Sequence, residues 1–187
     1  VLQPPKTHQI LAATYPRNDQ LENVRMTDTY KIAIVGGTGD LGSGLAKRWA
    51  RAGHEIIIGS RDAGRAADTA VKFNDDAGTT SISGLENTDA AEAGDIVVLT
   101  VPYENHASTL DAIKNKVQGK IVIDVTVPLM PPKVRTVQLP EGGSCAKAAQ
   151  SQLGESVRVV SAFQNVAAAH LADLEHDIDC DVLVCGN

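Results

Sequence analysis

With 187 residues the chain has room for one sizeable core. Because 43% of it is hydrophobic and only 3% aromatic, that core has to be built from Ala, Val, Ile and Leu. A formal net charge of -6 excludes a general attraction to nucleic acid or anionic membranes, so any anion site must be local.

Residues 1–29 are polar, carry Pro4, Pro5 and Pro16 and lack a clear period, which reads as an extension outside the fold. From residue 30 onward, short apolar runs alternate with helical stretches. The runs are 31–35, 55–59, a weak one at 79–83, then 95–101, 120–125, 157–161 and 181–185, most of them rich in β-branched residues. Leu41, Leu45 and Trp49 place one apolar stripe on the first helix, with Lys47, Arg48 and Arg51 outside it. Further helices are predicted at 62–73, 86–93, 104–117 and 144–153. The repeated strand–helix order predicts an α/β fold, a doubly wound, mostly parallel sheet of the Rossmann type. A final strand at 181–185 would ordinarily feed a covering helix, so residues 30–187 read as a dinucleotide-binding domain incomplete at its C-terminus.

The first strand runs into "GGTGDLG". Gly37, Gly39 and Gly42 satisfy GxGxxG between a strand and a helix, the context in which such a turn lets backbone approach a pyrophosphate and offers it free helix amides. Gly36, Gly39 and Gly42 equally satisfy the spacing of short-chain dehydrogenases. Those enzymes need a Lys four residues after a Tyr, whereas Tyr15, Tyr30 and Tyr103 are followed at that distance by Asp19, Ile34 and Ala107. At the end of the second strand, about 20 residues on, an Asp or Glu would bond the ribose of NAD and repel the 2′-phosphate of NADP. Here stand Gly59, Ser60 and Arg61, with Arg65 one helical turn further, a set suited to phosphate.

Four stretches, "IAIVGGTGDLGSGLAKRWARAGHEIIIGSR", "DIVVLTVPYENH", "VVSAFQNVAAAHL" and "CDVLVCG", together resemble the NADPH-dependent coenzyme F420 reductases, or F420:NADP oxidoreductases, from about Lys31 to Gly186. The resemblance implies hydride transfer between NADP(H) and a deazaflavin, coenzyme F420, by a homodimer. It implies that Thr38, Gly39, Asp40 and Leu41 line the pyrophosphate turn, that Ser60, Arg61 and Arg65 take the 2′-phosphate, and that Thr100 and Pro102 border the nicotinamide. It also places Gln164, Asn165, Val166, Ala167 and Ala168 between nicotinamide and deazaflavin. Direct hydride transfer requires two stacked rings and exclusion of water rather than an acid or base, so no catalytic side chain is assigned. Two other readings keep NADP: reduction of a different acceptor, a flavin or ferric chelate, and a non-catalytic NADP(H) sensor.

The remaining reactive side chains are assigned no chemistry. His106 is expected at the surface or capping a helix, and His170 and His176 are expected to be exposed; no metal site is predicted. Cys145, Cys180 and Cys185 form neither a CxxC pair nor a zinc spacing, so they read as buried or idle thiols in a reducing compartment. No apolar run approaches the roughly 20 residues of a membrane span, and the opening residues do not read as a signal peptide, which leaves a cytoplasmic protein.

Overall fold

The computed structural model describes residues 28–186, so most of the 1–29 extension lies outside the described residues. β1 (Lys31–Val35), β2 (Glu55–Ser60), β3 (Ile82–Glu86), β4 (Ile96–Leu99), β5 (Ile121–Asp124) and β6 (Arg158–Ser161) are parallel and are joined by β7 (Cys185–Gly186) in one seven-stranded sheet. The strand order is β3-β2-β1-β4-β5-β6-β7. The order reverses between β1 and β4, which pair through Ile32–Ile96 to Val35–Leu99. At such a switch point the connections leave in opposite directions and open a crevice beyond the carboxyl ends of the strands.

Alternation along the strands divides the core into two layers. Ile32 and Ile34 face α1 (Asp40–Arg51) and α2 (Ala63–Ala77), where they meet Leu45, Ala46, Ala70 and Phe73. Ala33 and Val35 face the other way, toward α3 (Asn87–Ala93), α4 (His106–Ile113) and α5 (Cys145–Leu153), among Ala90, Leu110, Ile113 and Leu153. Local signals set the helix ends. The Asp62 carboxylate accepts the Arg65 amide at 2.8 Å to open α2, and Gly78, left-handed at φ 65, closes it. Ser144 opens α5 in the same manner.

Several predicted boundaries are corrected. β3 lies three residues later than the 79–83 run, because Ile82–Glu86 is the segment that pairs with β2 from Ile56 to Ser60. The 104–117 helix is shorter: Tyr103–Asn105 and Lys114–Lys116 are 3-10 turns on either side of α4. The largest change concerns 181–185. Only Cys185 and Gly186 pair, and they run antiparallel to β6. A parallel strand requires a crossover to the opposite end of the sheet. The connection after β6 holds only α6 (Ala168–Ala172), about 7.5 Å of helix at 1.5 Å per residue, so the chain comes back along the edge it left. Val182, Leu183 and Val184 consequently stay exposed.

Candidate functional site

A cleft of about 840 Å³ opens across the carboxyl ends of β2, β1, β4 and β5. Its floor is the glycine turn. The Gly37 amide donates to the carbonyls of Ile34 at 3.0 Å and Gly59 at 3.1 Å, tying the turn to both strands. A side chain at Gly37 would meet the Ile34 carbonyl oxygen at 2.7 Å, and one at Gly42 would meet the Gly37 Cα at 2.7 Å and the Thr100 hydroxyl at 2.9 Å. These two glycines are required by the protein's own packing and lie buried beneath the cleft. Gly39 differs: a side chain there would have its nearest neighbour 3.6 Å away, so the protein's own packing does not require a glycine. Thr38, Gly39, Asp40 and Leu41 all line the opening, where the first amides of α1 have no carbonyl one turn earlier to bond.

At the β2 end, Ser60, Arg61, Asp62 and Arg65 form the wall. Ser60 is buried and its hydroxyl oxygen accepts the Asp62 amide at 3.3 Å, leaving the hydroxyl proton to donate into the cleft. Asp62 caps the start of α2 through one carboxylate oxygen, which accepts the Arg65 amide. Arg65 reaches across to donate to the Thr38 hydroxyl at 3.1 Å, and neither Arg61 nor Arg65 forms a salt bridge among the described residues. Asn87, not anticipated from sequence, completes this end: it is buried, lines the cleft, and accepts the Gly36 amide at 3.2 Å.

Beyond the switch point, Thr100, Val101 and Pro102 follow β4, and Val125, Thr126 and Val127 follow β5. The Thr100 hydroxyl donates to the Val35 carbonyl at 3.0 Å. Behind this wall, His106 is buried, not at the surface as expected, with Nε2 2.9 Å from an Asp124 carboxylate oxygen that is itself inaccessible. The other oxygen of Asp124 accepts the Thr126 amide at 2.9 Å. Burial and the nearby Asp124 charge push the Cys145 thiol up to about 11, which leaves it inert; Cys180 and Cys185 are exposed and free. Tyr103 stacks on the His106 ring and separates the cleft from a second cavity of about 450 Å³ lined by Leu129, Met130 and Gln152.

The last group of expected site residues is not brought into the cleft wall. Gln164 donates to the Asp124 carbonyl at 2.7 Å and to the Ser161 hydroxyl at 2.9 Å, and Asn165 donates to the Asp181 carbonyl at 2.7 Å. Val166 packs on the α1 side of the core, and Ala168 begins α6. Phe163, left-handed at φ 69, turns the chain sharply ahead of them and meets Trp49 edge-on. The exposed His170, in α6, and His176, beyond it, come together with ring centroids 5.4 Å apart, yet among the described residues no group of three metal-ligating side chains is assembled.

Comparisons with known proteins place this geometry. Residues 31–128 match the family described as NADP oxidoreductase coenzyme F420-dependent. The F420-dependent NADP reductase of Methanocaldococcus jannaschii is 48% identical over 164 residues, 84% of this chain and 73% of the relative. That of Methanothermobacter thermautotrophicus is 44% identical over 163 residues, 84% of this chain and 70% of the relative. Among solved structures, pyrroline carboxylate reductase of Plasmodium falciparum with NADP bound superposes with a TM-score of 0.54 at 18% identity, over 84% of this chain and 48% of that one, a likeness of fold. By sequence match, this chain belongs to the coenzyme F420-dependent NADP oxidoreductases.

Proposed function

We propose that the cleft holds NADP(H) across the switch point and that the chain passes hydride between it and the deazaflavin coenzyme F420. The observation that carries the NADP half is the end of β2, where a buried serine and two guanidinium groups, without carboxylate partners among the described residues, stand where an NAD enzyme would carry an acid. The bare Gly39 and the free α1 amides suit a pyrophosphate. When bound, the nicotinamide supplies the hydride or receives it. The protein's residues bind and orient: Arg61 and Arg65 hold the phosphate, the α1 terminus takes the bridging anion, and Val101, Val125 and Val127 keep water from the ring end.

The relatives named as F420-dependent NADP reductases support the acceptor. On this reading the deazaflavin approaches along the segment that carries Gln164, Asn165, Val166 and Ala168, outside the cleft wall. The cytoplasmic setting and the homodimer belong to the same proposal. Exposed thiols at Cys180 and Cys185 suit a reducing compartment, and exposed Leu129, Met130, Val137 and Leu139 between β5 and α5 suit a partner surface. Among the described residues no helix is long and apolar enough to cross a membrane.

The test is a titration with NADPH and NADH, followed by oxidised F420, a flavin and a ferric chelate in turn, with loss of NADPH absorbance as readout. Turnover with F420 alone supports the proposal. Turnover only with the flavin or the chelate reassigns the acceptor, and tight NADPH binding without any turnover makes the chain a sensor.

A further inference from the structure

We infer that the Thr126 hydroxyl orients the nicotinamide carboxamide at the β5 end of the cleft. The inference rests on the NADP(H) reading of that cleft. With the phosphate-binding group at the end of β2 and the pyrophosphate turn at the end of β1, a dinucleotide spanning the switch point has to lay its other half over the ends of β4 and β5. Hydroxyls on Thr100, Tyr103, Ser108, Thr109 and Thr126 line that half, and those of Ser108 and Thr109 both donate to the Asn105 carbonyl. That of Thr100 is committed to the Val35 carbonyl.

Thr126 is only 5% exposed, and its Oγ1 is buried with no hydrogen-bond partner among the described residues. Buried hydroxyls are nearly always paired, and an orphan costs stability that valine would recover. Valine indeed stands on both sides, at 125 and 127. The threonine backbone is fixed, because its amide bonds the Asp124 carboxylate, which His106 holds from the other side. Rotation about χ1 is the remaining freedom, and on this inference a staggered step brings the oxygen to the cleft that Thr126 lines. A hydroxyl both donates and accepts, and a primary carboxamide presents one group of each kind, so the two are complementary in either orientation.

The experiment compares binding of NADP+ and of adenosine 2′,5′-bisphosphate, which keeps the phosphorylated adenosine half and lacks nicotinamide, to the wild type, Thr126→Val and Thr126→Ser, by calorimetry. The expected result is that Thr126→Val weakens NADP+ about five- to tenfold, leaves the bisphosphate unchanged and melts, without ligand, at or above the wild-type temperature, while Thr126→Ser retains NADP+ binding. Should valine fail to fold, Thr126→Ala serves the same comparison. Equal affinity of wild type and Thr126→Val for NADP+, or parallel losses for both ligands, overturns the role of Thr126 and leaves the NADP reading intact. A wild type that binds neither ligand overturns both.

Discussion

Removing the guanidinium groups at the end of β2 separates a phosphate clamp from a merely solvated helix face. Arg61 is exposed and forms no salt bridge among the described residues, so its loss should be felt chiefly by a ligand carrying the 2′-phosphate. A charge-assisted hydrogen bond contributes about 1.5 to 3 kcal/mol; taking the lower end for an exposed site, Arg61→Ala should weaken NADPH about tenfold and NADH hardly at all. Arg65 also bonds the Thr38 hydroxyl in the pyrophosphate turn, so Arg65→Ala should cost NADPH a similar amount and NADH a small one. The double variant should lose about a hundredfold for NADPH if the two act independently, and less if they share one phosphate oxygen. The assay is a fluorescence titration with each cofactor at low and at high salt, the wild-type preference for NADPH shrinking as salt screens the phosphate. Equal losses for NADH and NADPH in Arg61→Ala would refute the clamp.

The glycines of the turn should part into two classes. Gly42→Ala forces a methyl against Gly37 and the Thr100 hydroxyl and should lower the melting temperature, whereas Gly39→Ala should leave the ligand-free melt within about 1 kcal/mol of wild type and abolish tight NADPH binding. His106→Phe strands the buried Asp124 charge and should cost about 3 kcal/mol in urea unfolding; an unchanged midpoint would show that the pair contributes nothing. Thiol reagent at mildly alkaline pH should label Cys180 and Cys185 rapidly, with Cys145 reacting only on unfolding, since its thiol titrates at about 11 and is buried. Three rapidly reacting thiols in the folded protein would contradict that burial.

The sheet was legible because its signals are local. Most strand runs are rich in β-branched residues, and the turn after β1 announces itself in seven residues. Misreadings arose where pairing partners, not propensity, decide the outcome. Gly84 looks like a strand breaker, yet it sits within β3 because α2 crosses there so closely that a side chain would strike the Ala66 backbone. "DVLVC" has the composition of a strand, but too little helix precedes it to bring it back in parallel. Ser60, Arg61 and Arg65 could be placed on the cleft wall from sequence because they stand at a fixed offset from the glycines. The His106–Asp124 pair and the Thr126 wall could not: 18 residues separate the pair, and only the adjacency of β4 and β5 joins them.

Arg48 turns outward from the apolar stripe of α1, and the carbonyls of His170, Leu171, Asp173 and His176 gather around its guanidinium at 3.2, 3.1, 2.5 and 2.9 Å. Eight residues earlier, about 12 Å along the same helix, α1 begins at the glycine turn. One rigid rod therefore gauges the spacing between the floor of the cleft and the loop that follows α6. A tilt of that rod would shift both together, so their separation is built in before either substrate arrives.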